Sequence, residues 1–167
     1  RTRAVARVGL VYSMPTAVWR DARVVEQTKT HFLATQAMSR RMDALRIGHD
    51  AVIFGHPDLW DDAPVLDTLD RYDCLVLAEV DCLSDTQLAA LRAAADRGTL
   101  VLAAGERRPV RNENYAIVRA AGVAPGIPYD DRPDLLEPFA TETDAPVGVA
   151  VTIQSIVEGR GLAVHFV

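Results

Sequence analysis

Short apolar runs alternate with longer amphipathic segments along the first two thirds of the chain. The runs have the length of strands and lack polar alternation, which is typical of strands buried on both faces of a parallel sheet. We predict four such strands, at residues 6–13, 49–55, 72–78 and 99–105. Strands that alternate with helices connect through right-handed crossovers, so the pattern predicts an α/β domain with helices on both faces of the sheet.

Helical spacing of apolar residues predicts three helices between these strands. They are a long helix over 24–46, a short one over 64–69 and one that begins at Ser84 and ends at Gly98. Ser84 is followed three residues later by glutamine, which is the capping-box pattern of a helix start. The segment between the first strand and the long helix contains Pro15 and Trp19 and is predicted to be a loop.

The pattern changes after residue 105. We predict a short helix over 112–121 and then a long loop, rich in Pro, Asp and Gly, over 123–146. Two further apolar runs, 147–153 and 162–167, flank a glycine-rich turn. They predict a C-terminal antiparallel hairpin, residues 147–167, at the edge of the sheet.

Length and composition limit the possible classes. A chain of 167 residues with 49% hydrophobic and 25% charged residues predicts one soluble globular domain over residues 1–167. The net charge of −5 and the lack of a basic run argue against a nucleic-acid partner. The apolar runs are too short to span a membrane and no signal peptide opens the chain, so we expect a cytoplasmic protein. Because the chain lacks an initial methionine and ends within a strand, we expect it to be part of a longer polypeptide, with tag removal or maturation as the alternative explanations. We expect the parent protein to be bacterial.

Several local phrases occur in an order and spacing that resemble a known family. The phrases are Val8–Ser13 with Trp19 shortly after, Ala44–Leu45 before Gly48–Val52, Leu69 through Tyr72–Leu77, and Leu83–Asp85 through Leu91 to Arg97–Val101. The chain resembles the class I glutamine amidotransferase-like fold, and within it the trimerisation domain of β-galactosidase-type glycoside hydrolases. The resemblance covers residues 5–105 well and the remainder loosely.

This resemblance implies a flavodoxin-like three-layer sandwich with a mostly parallel sheet. It also implies a role in subunit assembly, with a homotrimer favoured, and in support of a catalytic domain of the same chain. The glycosidase carboxylates would then lie in that separate barrel domain. No nucleic-acid or membrane partner is expected.

The end of the fourth strand lacks the chemistry of the catalytic amidotransferases. Their equivalent strand ends in a Gly-x-Cys-x-Gly elbow, and that pattern laid on Ala103, Ala104 and Gly105 places alanine at the nucleophile. The histidine-acid pair of the family is missing too, because His165 lies within a predicted strand. The resemblance therefore implies a domain that is not itself an enzyme.

Polar residues follow the predicted strands at their carboxyl ends, where parallel sheets bind ligands. We select Ser13, Glu79, Asp81 and Glu106 as ligand-binding candidates. If the three carboxylates converge, they suit acid-base chemistry or a divalent cation, and the alternative function is a small stand-alone hydrolase or ligand-binding domain. Otherwise they are solvated loop carboxylates paired with nearby arginines. No phosphate-binding or zinc motif is present, so no cofactor and no metal are predicted.

The remaining candidates concern packing. Ser13 lacks a Gly-x-Ser-x-Gly setting, so we expect it to cap the turn that follows its strand. His31 is predicted to be a partly exposed helical residue, and Cys74, inside an apolar run, a buried free thiol. Large side chains predicted on loops are candidates for a subunit interface, and the alternatives are that the tryptophans stack on a sugar or that these residues pack onto their own domain. The candidates are Trp19, Trp60, Tyr129 and Arg132.

Overall fold

The computed structural model describes residues 2–4, 6–21, 30–56, 58–105, 111, 127–128, 133–140, 151–156 and 162–166. The strands are β1 (Thr2–Ala4), β2 (Val8–Ser13), β3 (His49–Phe54), β4 (Cys74–Ala78), β5 (Leu100–Ala104), β6 (Ile127–Pro128), β7 (Val151–Ile156) and β8 (Leu162–Phe166). The helices are α1 (Met14–Asp21), α2 (Thr30–Ala44), α3 (Ala63–Leu66) and α4 (Asp85–Asp96), with 3₁₀ segments at Leu69–Arg71 and Pro133–Phe139.

Four of these strands form an all-parallel sheet in the order β3-β2-β4-β5, and the two residues of β6 pair with the outer edge of β5. In the register of the central strands, Leu10 lies between Ala51 of β3 and Val76 of β4. The predicted α/β arrangement is confirmed, with the first and fourth predicted strands in the same sheet.

Alternate residues of the strands build two separate cores on the two faces of this sheet. From β4, Leu75 and Leu77 pack with Leu88 and Leu91 of α4 in one cluster. The neighbouring residues of β4 pack in the other cluster, with Met38 and Met42 of α2. This is why the central strands β2 and β4 have no polar alternation, since both of their faces are covered.

Cys74 belongs to the second cluster and is completely buried, as predicted. Burial, and to a lesser degree the charge of Asp73, raises the pKa of its thiol to about 12. A thiol in this state is not a nucleophile at neutral pH.

The start of α4 follows the local sequence closely. Ser84 Oγ accepts the backbone N–H of Gln87, and the Gln87 side chain accepts the backbone N–H of Ser84 at 2.9 Å. This is the predicted capping box. Both interactions are made within four residues, so they do not depend on the rest of the fold.

The segment after β2 is a helix, and its prediction as a loop is wrong. Proline is tolerated in the first turn of a helix, where Pro15 lies, because that backbone N–H has no helical partner in any case. Ser13 precedes the helix, and its Oγ accepts the backbone N–H of Thr16 at 3.1 Å, which confirms the predicted cap. Trp19 therefore lies on α1 and not on a loop. The helix predicted over 24–46 is described from Thr30 to Ala44 as α2, and residues 24–29 lie outside the described residues.

The two C-terminal strands lie elsewhere than predicted. β7 and β8 pair antiparallel, but β7 also pairs with β1, so the three form a separate sheet and not an edge of the parallel one. The predicted helix 112–121 lies outside the described residues, as does most of the loop 123–146. Within that loop, the 3₁₀ segment Pro133–Phe139 places Leu136 in the second core cluster. Among the described residues, no helix has the length and apolar character needed to cross a membrane.

Candidate functional site

The strand order reverses between β2 and β4, since β3 lies on one side of β2 while β4 and β5 lie on the other. In open α/β sheets the crevice at the carboxyl ends of two such strands is the usual ligand-binding position. Here α1 leaves the end of β2, and the segment 79–82 leaves the end of β4. These two pieces of chain meet in the crevice.

Arg20 of α1 joins them through a buried ion cluster. Its Nη1 donates to Glu79 Oε2 at 2.8 Å, its Nε donates to Asp81 Oδ2 at 2.7 Å, and its Nη2 donates to the Glu79 carbonyl at 3.0 Å. The side chains of Arg20 and Asp81 are 7% and 6% exposed, whereas that of Glu79 is 33% exposed. Three N–H groups of one guanidinium thus hold both carboxylates and a backbone oxygen.

The carboxylates of this cluster offset the cost of burying the Arg20 charge. Burial by itself lowers the pKa of Arg20, but the hydrogen bonds and charges of Asp81 and Glu79 outweigh that effect, so the pKa lies above its ordinary value. Arg20 is therefore permanently charged. A buried charge with two carboxylate partners is stable only while both stay in place.

Two hydroxyl groups complete the contact between α1 and the segment after β4. Thr16 Oγ1 accepts the backbone N–H groups of Asp81 and Cys82 at 3.1 and 2.9 Å. Ser13 Oγ donates to the Cys82 carbonyl at 2.7 Å. Ser13, Thr16 and Arg20 are three and four residues apart, which is the spacing of one helix face. Sequence reasoning missed Thr16 and Arg20, and that spacing is the signal that reveals them once residues 14–21 are recognised as a helix.

His31 lies beneath this contact, and its prediction as partly exposed is wrong. The residue is 1% exposed, its Nε2 accepts the backbone N–H of Ser13 at 2.9 Å, and its ring stacks on Tyr12 with centroids 4.8 Å apart. The imidazole nitrogen that accepts this N–H carries no proton. The hydrogen bond with the Ser13 N–H therefore connects the buried His31 side chain to the backbone of β2.

The end of β5 carries no reactive side chain among the residues that the structure describes there. Ala103 and Ala104 are followed by Gly105, whose φ of +94° is left-handed. Glu79 also has a positive φ, of +50°, and its backbone N–H donates to the Ala104 carbonyl at 2.8 Å. A side chain at residue 105 would collide with Glu79, so only glycine fits there.

The structure brings three of the four ligand-binding candidates together. Ser13, Glu79 and Asp81 all contact α1 residues at the crevice, while Glu106 lies outside the described residues. The two described carboxylates both accept hydrogen bonds from the Arg20 guanidinium. Across the described part of the chain, no group of three or more His, Cys, Asp or Glu side chains is placed to hold a metal ion.

The interface candidates separate into different environments. Trp60 lies in the loop after β3 and is 50% exposed, with Leu59 beside it at 70%. Trp19 is half-buried, and the guanidinium of Arg111 lies 4.5 Å from the centre of its ring. Arg111 is in turn fixed by backbone hydrogen bonds to Asp81 and Leu83 at 2.7 and 2.9 Å. Tyr129 and Arg132 lie outside the described residues.

Comparison with known proteins gives no relative from which a function can be transferred. No protein-family model matches the chain, and no curated protein matches it. The function must therefore be argued from the site itself.

Proposed function

We propose that this chain is a non-catalytic class I glutamine amidotransferase-like domain of a multidomain, β-galactosidase-like glycoside hydrolase. Its role is subunit assembly and support of the catalytic domain, with a flavodoxin-like three-layer sandwich and a C-terminal antiparallel hairpin. The observation that carries the proposal is the ion cluster of Arg20, which binds both strand-end carboxylates that a catalytic or ligand-binding site would use.

The topology supports the fold assignment. Numbered along the chain, the strands of the parallel sheet, including β6, lie in the order 2-1-3-4-5. That order is the one found in flavodoxin-like doubly wound domains. The antiparallel pairing of β7 with β8 supports the hairpin.

The crevice supports a role other than catalysis. An acyl-transfer elbow needs a nucleophile in the turn that ends its strand, and here alanine stands at that position, followed by Gly105. A general acid or base needs a proton-transfer path to a substrate. Asp81 is buried against Arg20 and is not available for such a transfer. This argues against the alternative, a small hydrolase or ligand-binding domain that uses the strand-end carboxylates.

An activity assay tests the non-catalytic assignment. We expect the purified chain to release no ammonia from glutamine and to cleave no peptide substrate above the buffer rate. Ser13→Ala and Cys82→Ala are the matched variants, because each removes a hydroxyl or thiol group from the two segments that meet in the crevice. Hydrolysis by the parent chain that either variant abolishes would overturn the assignment.

Light scattering tests the assembly role. Trp60 is half exposed, so we expect Trp60→Ala to weaken self-association with little change in the free energy of unfolding. Trp19→Ala is the comparison. Because Trp19 packs against Arg111 of its own chain, we expect its loss to lower the free energy of unfolding rather than to change self-association directly. A parent chain that stays monomeric at high micromolar concentration contradicts the role.

The genomic context tests the parent enzyme. The coding sequence on either side of this chain is expected to specify a barrel domain with paired glutamates, which would carry the sugar specificity. Flanking stop codons at both ends would contradict this part of the proposal and leave a stand-alone domain.

A further inference from the structure

An exposed apolar pair lies among acidic residues in the loop after β3. We call residues 58–62 the acidic loop. Leu59 and Trp60 are its most exposed large apolar side chains, and Asp58 and Asp61 are exposed beside them. The stretch 58–70 contains five aspartates and no lysine or arginine. An apolar centre with a charged rim is the composition of a protein-protein contact.

The acidic loop is held in one conformation by hydrogen bonds to its base. Asp62 Oδ2 accepts the Gly55 N–H at 3.0 Å and the Gln87 Nε2 at 2.7 Å, and Gln87 Nε2 also donates to the Gly55 carbonyl at 2.7 Å. The Trp60 N–H donates to the His56 carbonyl at 3.0 Å. A loop fixed in this way loses little conformational entropy when it binds, which favours affinity.

A second exposed surface has the opposite charge. We call Leu33, Arg40, Arg41 and Leu45 the basic helix face. Three of them are exposed residues of α2, whose buried methionines face the core, and Leu45 lies in the turn after the helix. Leu33 and Leu45 are 56% and 43% exposed. Residues 30–46 contain three arginines and one aspartate, so this surface is apolar and positively charged.

We propose that the acidic loop of one copy of this chain binds the basic helix face of a second copy. The inference rests on the proposed assembly role and names the two surfaces that perform it. Both surfaces have exposed apolar side chains. The loop adds negative charge from Asp58 and Asp61, and the helix face adds positive charge from its arginines. Opposite charges speed the encounter of the two copies and fix its orientation. The Trp60 ring, which is exposed in the single chain and becomes buried on binding, supplies the main contact.

The position of the two surfaces determines the kind of assembly. α2 packs in the cluster on one face of the sheet, and the helix that follows the acidic loop, α3, contributes Val65 and Leu66 to the cluster on the other face. The contact therefore joins different surfaces of the two copies. Because the two surfaces lie at opposite faces of the sheet, one contact leaves a free surface at each end of the pair. Such head-to-tail contacts repeat until a ring closes, or they grow into an open chain.

Three variants test this pairing by sedimentation velocity. Trp60→Ala alters the acidic loop, Arg40→Glu with Arg41→Glu alters the basic helix face, and Arg97→Glu is the control at an exposed position after α4. We expect each of the first two to raise the dissociation constant at least about tenfold, and the control to leave it unchanged. Far-ultraviolet circular dichroism checks that all three fold.

Mixing the two weakened variants distinguishes a head-to-tail contact from a symmetric one. The Trp60→Ala chain keeps its helix face and the Arg40→Glu, Arg41→Glu chain keeps its loop, so together they have one intact contact and should form a heterodimer that does not grow further. A second mixture pairs a loop made basic with a helix face made acidic, so the charges are again opposite. A chain with Asp58→Arg and Asp61→Arg should recover association with the chain that carries Arg40→Glu and Arg41→Glu.

The outcomes separate this inference from the assembly role on which it rests. If the parent chain assembles and both surface variants assemble equally well, the pairing is wrong and the assembly role stands. If the mixture stays monomeric while the parent assembles, the head-to-tail geometry is wrong. If the parent chain is monomeric at high micromolar concentration, both the pairing and the assembly role are wrong.

Discussion

The side chain of Glu79 lies against the α-carbon of Gly105, where its Cγ occupies the space that a β-carbon of residue 105 would need. Both residues have left-handed backbone conformations, with φ of +50° for Glu79 and +94° for Gly105. The end of β4 thus packs against the end of β5 because the Glu79 side chain fills the space that glycine leaves open at residue 105.

We expect Gly105→Ala to destabilise the domain for two separable reasons. The left-handed φ costs an alanine about 1–2 kcal/mol, and the contact with Glu79 adds to it. Gly98→Ala is the control, because Gly98 has a φ of +101° but no atom within 4 Å of its would-be β-carbon. Urea unfolding measures both. In a Glu79→Ala background, Gly105→Ala should lower the free energy of unfolding no more than Gly98→Ala does. Equal losses for the two glycine variants in the parent protein would refute the contact.

We expect Arg20→Ala to be far more damaging than the removal of an exposed arginine. Asp81 is buried and would lose its charged partner, a change that costs about 3–5 kcal/mol. Arg7→Ala is the matched control, since the ion pair of Arg7 with Asp73 is exposed at both partners and is worth about 0–1 kcal/mol. Chemical denaturation gives both values. Similar losses in the two variants would show that the cluster adds no stability.

We expect alkaline pH to destabilise the fold through Cys74. Its pKa is about 12 in the folded state against 9.0 for an unperturbed thiol, so the stabilising contribution is complete below pH 9.0 and is lost as the pH rises toward 12. Between pH 8 and pH 10 this linkage lowers the free energy of unfolding by about 1 kcal/mol. Cys74→Ala should show a smaller decline over the same interval. An equal decline in both proteins would assign the effect to other groups.

We expect His31→Phe to fold but to be less stable. Phenylalanine preserves ring packing on Tyr12 but leaves the buried N–H of Ser13 without its acceptor, which costs about 1–3 kcal/mol. Leu33→Ala, on the exposed side of the same helix, should change stability by less than about 0.5 kcal/mol. Hydrogen exchange at Ser13 gives an independent readout. Unchanged protection of that amide in His31→Phe would show that the hydrogen bond is unimportant.

The parts of this structure that the sequence predicts are those governed by local or strongly periodic signals. The four apolar runs identify the parallel strands because burial on both faces excludes polar residues. The capping box at Ser84 is correct because both of its partners lie within four residues. The error at α1 comes from reading Pro15 as a loop residue, although proline is equally compatible with a first helical turn.

The contents of the crevice depend on tertiary structure and are less accessible to sequence reasoning. Arg20 is 59 residues from Glu79 and 61 residues from Asp81, so no local pattern connects them. The capping role of Ser13 is predicted correctly, because its position next to a strand is visible in the sequence. The burial of His31 escapes prediction because its ring stacks on Tyr12 and accepts the Ser13 N–H, and both partners lie on β2, about 18 residues away in the sequence.

The guanidinium of Arg20 stands where other doubly wound domains place a bound molecule. A cation that belongs to the polypeptide does not dissociate, so the connection between α1 and the end of β4 needs no separate cation to neutralise Glu79 and Asp81. Its replacement by alanine leaves a guanidinium-sized space beside two carboxylates. Millimolar methylguanidinium should therefore recover part of the lost stability of Arg20→Ala while leaving Arg7→Ala unaffected. The Arg20 side chain thus occupies the crevice permanently, and it holds its own helix, α1, against the end of β4.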